Sequence, residues 1–182
     1  ESGKPSVDEL QNLGITDVTA DNIFAIRVAF FPLSSNGQDY EALADLQNTV
    51  DLGIKAYSSA LKDITTVASN EDLYNLTQNG TLPDDLKEIL IDNITAHIWN
   101  LGVTNLDSES YAFVFSLLME KNISTEQVNT YVEVQALVDG VNAIRATFNS
   151  STSILPVPVP LQEHYEVIGL TGVDTQAEVD LM

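Results

Sequence analysis

Three neighbouring carboxylates are the first place where this sequence could carry out chemistry. Asp84, Asp85 and Glu88 lie within five residues of one another, and a pair of such groups can act as general acid and base. They also follow a proline at the predicted start of a helix, where negative charge stabilises the positive end of the helix dipole. We favour this second interpretation, so no catalytic residue is predicted in the group.

A calcium loop is the second chemical possibility, because Asn105, Asp107 and Glu109 have the alternate spacing of its first ligands. Such a loop also needs a glycine at its sixth position and a glutamate at its twelfth. Here the sixth position is not glycine and the twelfth is Ser116. We therefore predict no metal site, and we interpret these carboxylates as the solvated start of a helix.

Two histidines and the single tryptophan are the remaining candidates. His97 and His164 are far apart and form no HxxxH or HExxH pair, so neither is expected to bind a metal. We expect His97 to be partly buried and His164 to lie on the surface. A lone tryptophan often anchors recognition, although we favour core packing for Trp99. If the chain binds a ligand, His97 and Trp99 are the candidate ligand-binding residues.

Composition excludes several classes of function. The chain has 27 acidic against seven basic residues and a net charge of −20, whereas nucleic-acid binding needs clustered Lys and Arg. It has no cysteine, which removes disulfides, thiolate ligands and cysteine nucleophiles. The longest apolar run, residues 111–119, is about half the ~20 residues that span a bilayer. No GxSxG, P-loop or GxGxxG motif is present. We expect no enzyme, no cofactor, no nucleic-acid partner and no membrane insertion.

The elements that would position these residues recur along the chain. Residues 12–16 (NLGIT) match residues 100–104 (NLGVT), at a shift of 88 positions. The same shift, without a gap, aligns residues 46–51 with residues 134–139, which share a glutamine and a Val-Asp pair. Two blocks in register predict tandem repeats.

The segments 12–16 and 100–104 are the first two starts of this repeat, and a third start, residues 168–173 (IGLTGV), begins 67 positions after Leu101. The shorter spacing implies about 21 inserted residues in the region 64–84. Each start is typical of a helix that ends at a glycine and is followed by a turn and a new helix. We expect Gly14, Gly102 and Gly169 to be left-handed, a conformation that glycine enters cheaply.

Helical periodicity predicts an all-α fold of short helical bundles arranged as elongated tandem repeats. Residues 23–31 and 111–119 are apolar almost all round and are predicted to be buried central helices, the first ending at Pro32. Another helix should begin after Pro83. Its inward-facing residues are predicted to be Leu86, Ile89, Leu90, Ile94 and Ile98.

Alternating prolines near residue 155 favour an extended spacer between modules, and we expect the chain to be a piece of a longer protein. The predicted segments are a first helical repeat (1–66), inserted or connecting helices (67–100), a second helical repeat (101–148), a Pro-rich linker (149–160) and the start of a truncated third repeat (161–182).

Residues 131–139 (YVEVQALVD) and 165–173 (YEVIGLTGV) carry a resemblance to a known class of repeats. They resemble the tandem helical repeats of very large secreted surface proteins of Gram-negative, often marine, bacteria. That class includes adhesins and haemagglutinin-related proteins exported by type I secretion. The resemblance implies an extracellular or cell-surface location and brings no catalytic residues. The insert around 64–84 is a departure from the shorter repeats.

Three functional hypotheses follow from these features. The first is a non-enzymatic structural or adhesive repeat module of a large bacterial extracellular protein, an extender or surface-interaction segment. Its partners would be neighbouring repeats of the same chain and a ligand on a host or neighbouring cell. The alternative is a domain that binds a glycan or peptide in a groove near residues 64–100. A third class, an enzyme with an unrecognised site, would depend on His97 or on Asp84 and Asp85.

Overall fold

The computed structural model describes residues 4–35, 42–119, 123–149, 160–170, 172–173 and 175–179, and these contain helices, turns and loops but no β-strand. The predicted all-α class is therefore confirmed. The helices in chain order are α1 (Val7–Asn12), α2 (Ile23–Ser35), α3 (Leu43–Ser69), α4 (Glu71–Gln78), α5 (Asp84–Leu101), α6 (Ser108–Met119), a 3₁₀ turn (Thr125–Gln127), α7 (Tyr131–Asn149), α8 (Gln162–Val167) and α9 (Gln176–Val179).

Side chains that accept hydrogen bonds from the first backbone N–H groups define several helix starts. At α1, Ser6 Oγ accepts from Glu9 N at 3.2 Å, and Glu9 Oε2 accepts from Ser6 N at 2.8 Å, which forms a capping box. At α4, Asn70 Oδ1 accepts from Leu73 N at 3.0 Å. These contacts place the helix boundaries where the polar residues stand in the sequence.

The three predicted left-handed glycines are confirmed. Their φ angles are +85° at Gly14, +87° at Gly102 and +75° at Gly169. Each follows closely on the end of a helix, where this conformation lets the chain turn away sharply.

A glutamine bridges each of the first two starts to a later helix. Gln47 of α3 accepts from the backbone N–H of Thr16 at 3.1 Å and donates to Asp51 Oδ1 at 2.8 Å. Gln135 of α7 makes the same two hydrogen bonds, at 2.9 Å each, with the residues 88 positions after Thr16 and Asp51. The matched sequence blocks therefore have the same local geometry.

Helix α3 connects two hydrophobic cores. It has 27 residues, about 40 Å at the α-helical rise. Its first half packs against α2, where Gly53 lies so close to the Ile26 backbone that a Cβ would overlap it. This smaller core consists of Leu10, Ile15, Val18, Ile26 and Val50. The second half of α3 joins a larger core with α5, α6, α7 and Ile168.

Helix α2 shows that the expected stop at Pro32 is wrong, because the helix runs to Ser35. A proline inside a helix removes its own N–H from the hydrogen-bond ladder and crowds the carbonyl four residues earlier. It leaves the donors of the following residues in place. The helix therefore ends within one turn after Pro32 instead of at it.

Helix α5 corrects part of the predicted inward face. Ile94 and Ile98 are buried as expected, but Leu86 and Ile89 are exposed. Both exposed residues lie in the first two turns of α5. In α5, the fully buried residues of the larger core begin at Ile94. The apolar pattern of the sequence therefore begins earlier along the helix than the burial does.

Two of the predicted segment boundaries can be compared with the ends of helices. The boundary after residue 66 lies within α3, which continues to Ser69. The boundary after residue 100 lies at the end of α5. Most of the predicted Pro-rich linker, residues 150–159, lies outside the described residues, so its extended form stays a prediction.

Candidate functional site

Trp99 lies on the last turn of α5, and 52% of its surface is exposed to solvent. The core packing that we favoured for it is therefore wrong. A helix turns by about 100° per residue, so the burial of Ile98 and Leu101 directs Trp99 to the open side of α5. Its indole Nε1–H donates to Tyr111 Oη at 3.2 Å, which ties the ring to α6 and leaves its exposed face available.

Acidic residues share the open side of α5 with Trp99. Asp85, Glu88 and Asp92 are exposed and spaced three and four residues apart, and Trp99 follows two turns after Asp92. Residues at this spacing lie along one face of a helix. An exposed indole offers an apolar surface for stacking, and carboxylates accept hydrogen bonds from hydroxyl or amine donors. We name Asp85, Glu88, Asp92 and Trp99 the α5 outer stripe.

His97 faces the opposite way, toward α3. Its Nε2 lies 3.3 Å from Asp63 Oδ2, and its side chain is partly buried, as expected. Residues two apart on a helix point to different sides. The structure therefore does not bring His97 and Trp99 together, and the two candidate residues belong to separate surroundings.

Asp84, Asp85 and Glu88 are exposed at the start of α5. Asp84 and Asp85 occupy its first turn, directly after the cap residue Pro83. This is the position in which carboxylates stabilise a helix dipole.

Asp107 and Glu109, the carboxylates considered for calcium, are instead bound to Arg145 of α7. Arg145 Nη1 donates to Asp107 Oδ1 at 2.9 Å and to Ser110 Oγ at 2.6 Å, and its Nη2 donates to Glu109. Asn105 contributes through its backbone carbonyl, which accepts from Asn142 Nδ2 at 2.7 Å. The guanidinium supplies the positive charge that a metal ion would bring.

Asp107 has the most perturbed acid–base equilibrium of this cluster. Its Oδ1 accepts from Ser110 N at 2.7 Å and from Ser110 Oγ at 2.8 Å. These hydrogen bonds, with the Arg145 guanidinium, lower the pKa of Asp107 from its ordinary 3.8 to about 2. The sequence predicted a helix start here. It gave no signal for Arg145, which lies 38 positions away.

His164 has a local structural role. Its Nδ1 accepts from the backbone N–H of Leu161 at 2.9 Å at the start of α8. Glu9 makes the corresponding hydrogen bond with Ser6 at α1. The side chain is partly buried, whereas we expected it to lie on the surface.

A shallow groove of about 590 Å³ beside α1 was missed by sequence reasoning. Leu13 lines it and is 57% exposed. No motif marked this region, because an exposed leucine looks in sequence like any core leucine. The other lining residues are Lys4, Pro5, Glu9, Leu10 and Asn12.

Within the described ranges, no three His, Cys, Asp or Glu side chains converge as a metal-binding group. None of the described helices combines the length and the apolar character needed to cross a bilayer. Comparison with protein-family models, with curated protein sequences and with solved structures gave no match to this chain.

Proposed function

We propose that this chain is a non-enzymatic helical repeat module of a large bacterial extracellular protein, in which it acts as an extender. The observation that carries the proposal is the duplicated glutamine bridge. Gln47 and Gln135 each join a start segment to the helix 31 residues later through a backbone N–H. A repeated sequence that also repeats its tertiary hydrogen bonds is typical of tandem modules.

Backbone φ angles support the repeat at the third start as well. Among the described residues, positive φ at a non-glycine occurs at Asp17 (+63°) and Asn105 (+61°), which are 88 positions apart. In the third start, the aligned position is Gly172, with φ of +86°. L-residues other than Asn and Asp seldom adopt this conformation. Three aligned positions in the same uncommon region favour one repeated turn.

An elongated arrangement is favoured by the division of the core. Val50 and Ile64 lie on the same helix but belong to different hydrophobic clusters. Separate hydrophobic clusters along one long helix are typical of modules joined end to end.

Composition favours the extracellular setting. A chain without cysteine and with a net charge of −20 suits export in the unfolded state followed by solubility outside the cell. Like charges also keep neighbouring chains apart. This location rests on composition and on the resemblance of residues 131–139 and 165–173, and labelling of the intact cell surface would test it.

Small-angle X-ray scattering tests the extender proposal. A compact chain of this length has a radius of gyration of about 16 Å. We expect a value above ~20 Å for modules in a row. A value near 16 Å would mean that the copies fold onto a single core, which contradicts the proposal.

The exposure of Trp99 favours a second candidate function, recognition of a glycan or peptide by the α5 outer stripe. The indole would stack on an apolar face of the ligand, while Asp92 accepts hydrogen bonds from its hydroxyl or amine groups. Such a role is compatible with an adhesive repeat.

Tryptophan fluorescence tests this second candidate, since Trp99 is the single indole in the chain. Titration with a glycan array's strongest binder should give a saturable shift that Asp92→Asn weakens. Lys87→Gln, on another side of α5, serves as the matched control. Tryptophan emission that stays constant during titration with that binder would rule out the α5 outer stripe as its binding site.

A further inference from the structure

The groove beside α1 has two counterparts elsewhere in the chain, and both are filled. Leu13 aligns with Leu101 of the second start and Ile168 of the third. Leu13 is 57% exposed, whereas Leu101 is 0% and Ile168 is 8% exposed. Equivalent positions in a repeat share their intrinsic preferences, so the difference must come from what packs against them.

A long helix covers each buried counterpart. Helix α3 packs along α5, where Asp63 lies 3.3 Å from His97, and its residue Ile64 shares the larger core with Leu101. Helix α7 packs against α8, at a different point along the long helix. At both junctions, a long helix that carries a bridging glutamine lies on the helix that leads into the next start.

The α7–α8 junction shows which residues meet. Gly140 of α7 is so close to α8 that an added Cβ would lie 2.6 Å from Val167 Cγ2 and 3.0 Å from the His164 carbonyl oxygen. Ile168 lies within 3.4 Å of the same point. A glycine at this contact lets the two helix backbones approach closely.

The three residues near Gly140 have aligned equivalents at α1, and all of these equivalents line the groove. A shift of 155 positions, from the third start to the first, relates His164 to Glu9 and Ile168 to Leu13. It also relates Val167 to Asn12. The groove is therefore lined at the same three positions that α8 presents to α7, with chemically different side chains at two of them.

From these correspondences we propose that the α1 groove is the docking site for an α7-type helix of a neighbouring repeat. This inference rests on the proposed function and names the partner surface of the module. The occupant is an amphipathic helix with a small residue at its contact point, placed against Glu9, Asn12 and Leu13. Its attachment repeats the α7–α8 junction at α1.

The groove carries charge of both signs. Lys4 and Glu9 both line it. Helix α7 likewise carries Glu133, Asp139 and Arg145. A charged side chain of either sign on the docked helix can therefore find an opposite charge at the groove.

An added helix supplies the test. A copy of residues 123–149, joined by a flexible Gly/Ser linker, is placed before the full chain, which raises its effective concentration at the groove to the millimolar range. Amide hydrogen exchange is then measured at residues 10–15. We expect exchange there to slow by ~10-fold relative to the unmodified chain.

Two matched variants identify the contact. Leu13→Glu in the chain should abolish the slowing, because it places a charge in the groove. Leu52→Glu, at an equally exposed leucine of α3, should leave the slowing intact. Gly140→Trp in the added copy alone should also abolish it. Unchanged exchange with the added helix, or slowing that survives Leu13→Glu, overturns the proposal.

The unmodified chain distinguishes the remaining outcomes. Exchange at residues 10–15 that slows with protein concentration would make the occupant a second copy of the chain, which overturns the proposed helix. A large radius of gyration combined with no effect of the added helix refutes only the docking site. A radius near the compact value refutes the extender function, while the exchange experiment still decides the groove.

Discussion

At the scale of single residues, Arg145 determines the character of the acidic cluster at the start of α6. It is largely buried, with 13% of its side chain exposed, and it binds both Asp107 and Glu109. The residue 88 positions earlier is Tyr57, which accepts instead from the Tyr131 backbone N–H at 3.4 Å. Two positions that align in the sequence thus serve an ion pair in one case and a helix-to-helix hydrogen bond in the other.

Replacement of Asp107 is our first prediction. Asp107→Ala should lower the free energy of unfolding near neutral pH by about 1 kcal/mol, because it removes a helix cap. The folded pKa of about 2 lies below the ordinary 3.8. The carboxylate therefore stabilises the fold above pH 3.8, and this contribution is lost as the pH falls toward 2.

Urea unfolding at a series of pH values measures both effects. The difference between wild type and Asp107→Ala should shrink between pH 4 and pH 2. Asp92→Asn, on the exposed side of α5, controls for the loss of one negative charge. A difference that stays constant over this range would show that the ionised carboxylate does not act as described.

Residue-scale reasoning from sequence succeeded where the signal was local. Gly14, Gly102 and Gly169 were predicted to be left-handed from their place between the end of one helix and the turn before the next, since only local backbone sterics decide that conformation. Trp99 was misplaced, because its exposure depends on how α5 is rotated against α3 and α6. That rotation is set by contacts far apart in the sequence.

At the scale of elements, glycines determine how closely helices meet. Gly14 and Gly102 have nearly the same φ, but nothing lies within 4 Å of an added Cβ at Gly14. At Gly102 the added Cβ would overlap the ring of Phe24, which belongs to α2. Gly102 therefore has two roles: it ends α5, and its missing side chain leaves room for the Phe24 ring of α2.

This pair of glycines gives the second prediction. Gly14→Ala should cost about 1–2 kcal/mol of unfolding free energy, the strain of a left-handed alanine. Gly102→Ala should cost more, because the methyl group also displaces Phe24. Thermal and urea unfolding of the two variants measure the difference.

A double variant separates the two costs at Gly102. In a Phe24→Ala background the ring is absent, so Gly102→Ala should become no more damaging than Gly14→Ala. Equal costs of the two glycine variants in the wild-type background would contradict the overlap with Phe24.

At the scale of the whole molecule, α3 couples two cores of unequal size. The smaller core has five fully buried residues contributed by α1, the following turn, α2 and α3. The larger one gathers residues from α3, α5, α6 and α7, together with Ile168. Since stability follows the apolar surface that is buried, the end of the molecule near α1 should open first.

Hydrogen exchange tests this order of opening, as our third prediction. Amides of α2 should exchange faster than those of α6. Val50→Ala should accelerate α2 without changing α6, at a cost of about 1–3 kcal/mol. Val138→Ala, the aligned residue of the larger core, is the matched variant and should accelerate α6. A uniform response to both variants would indicate one cooperative unit.

The sequence by itself determined the helical class, the left-handed glycines and the alignment of the starts. These depend on periodicity and on backbone sterics over a few residues, which neighbours in the chain fix. Tertiary structure alone decided that Trp99 faces outward, that Arg145 reaches Asp107 and that Leu13 is uncovered. Each of these depends on which helix lies against which, and packing over tens of residues sets that choice.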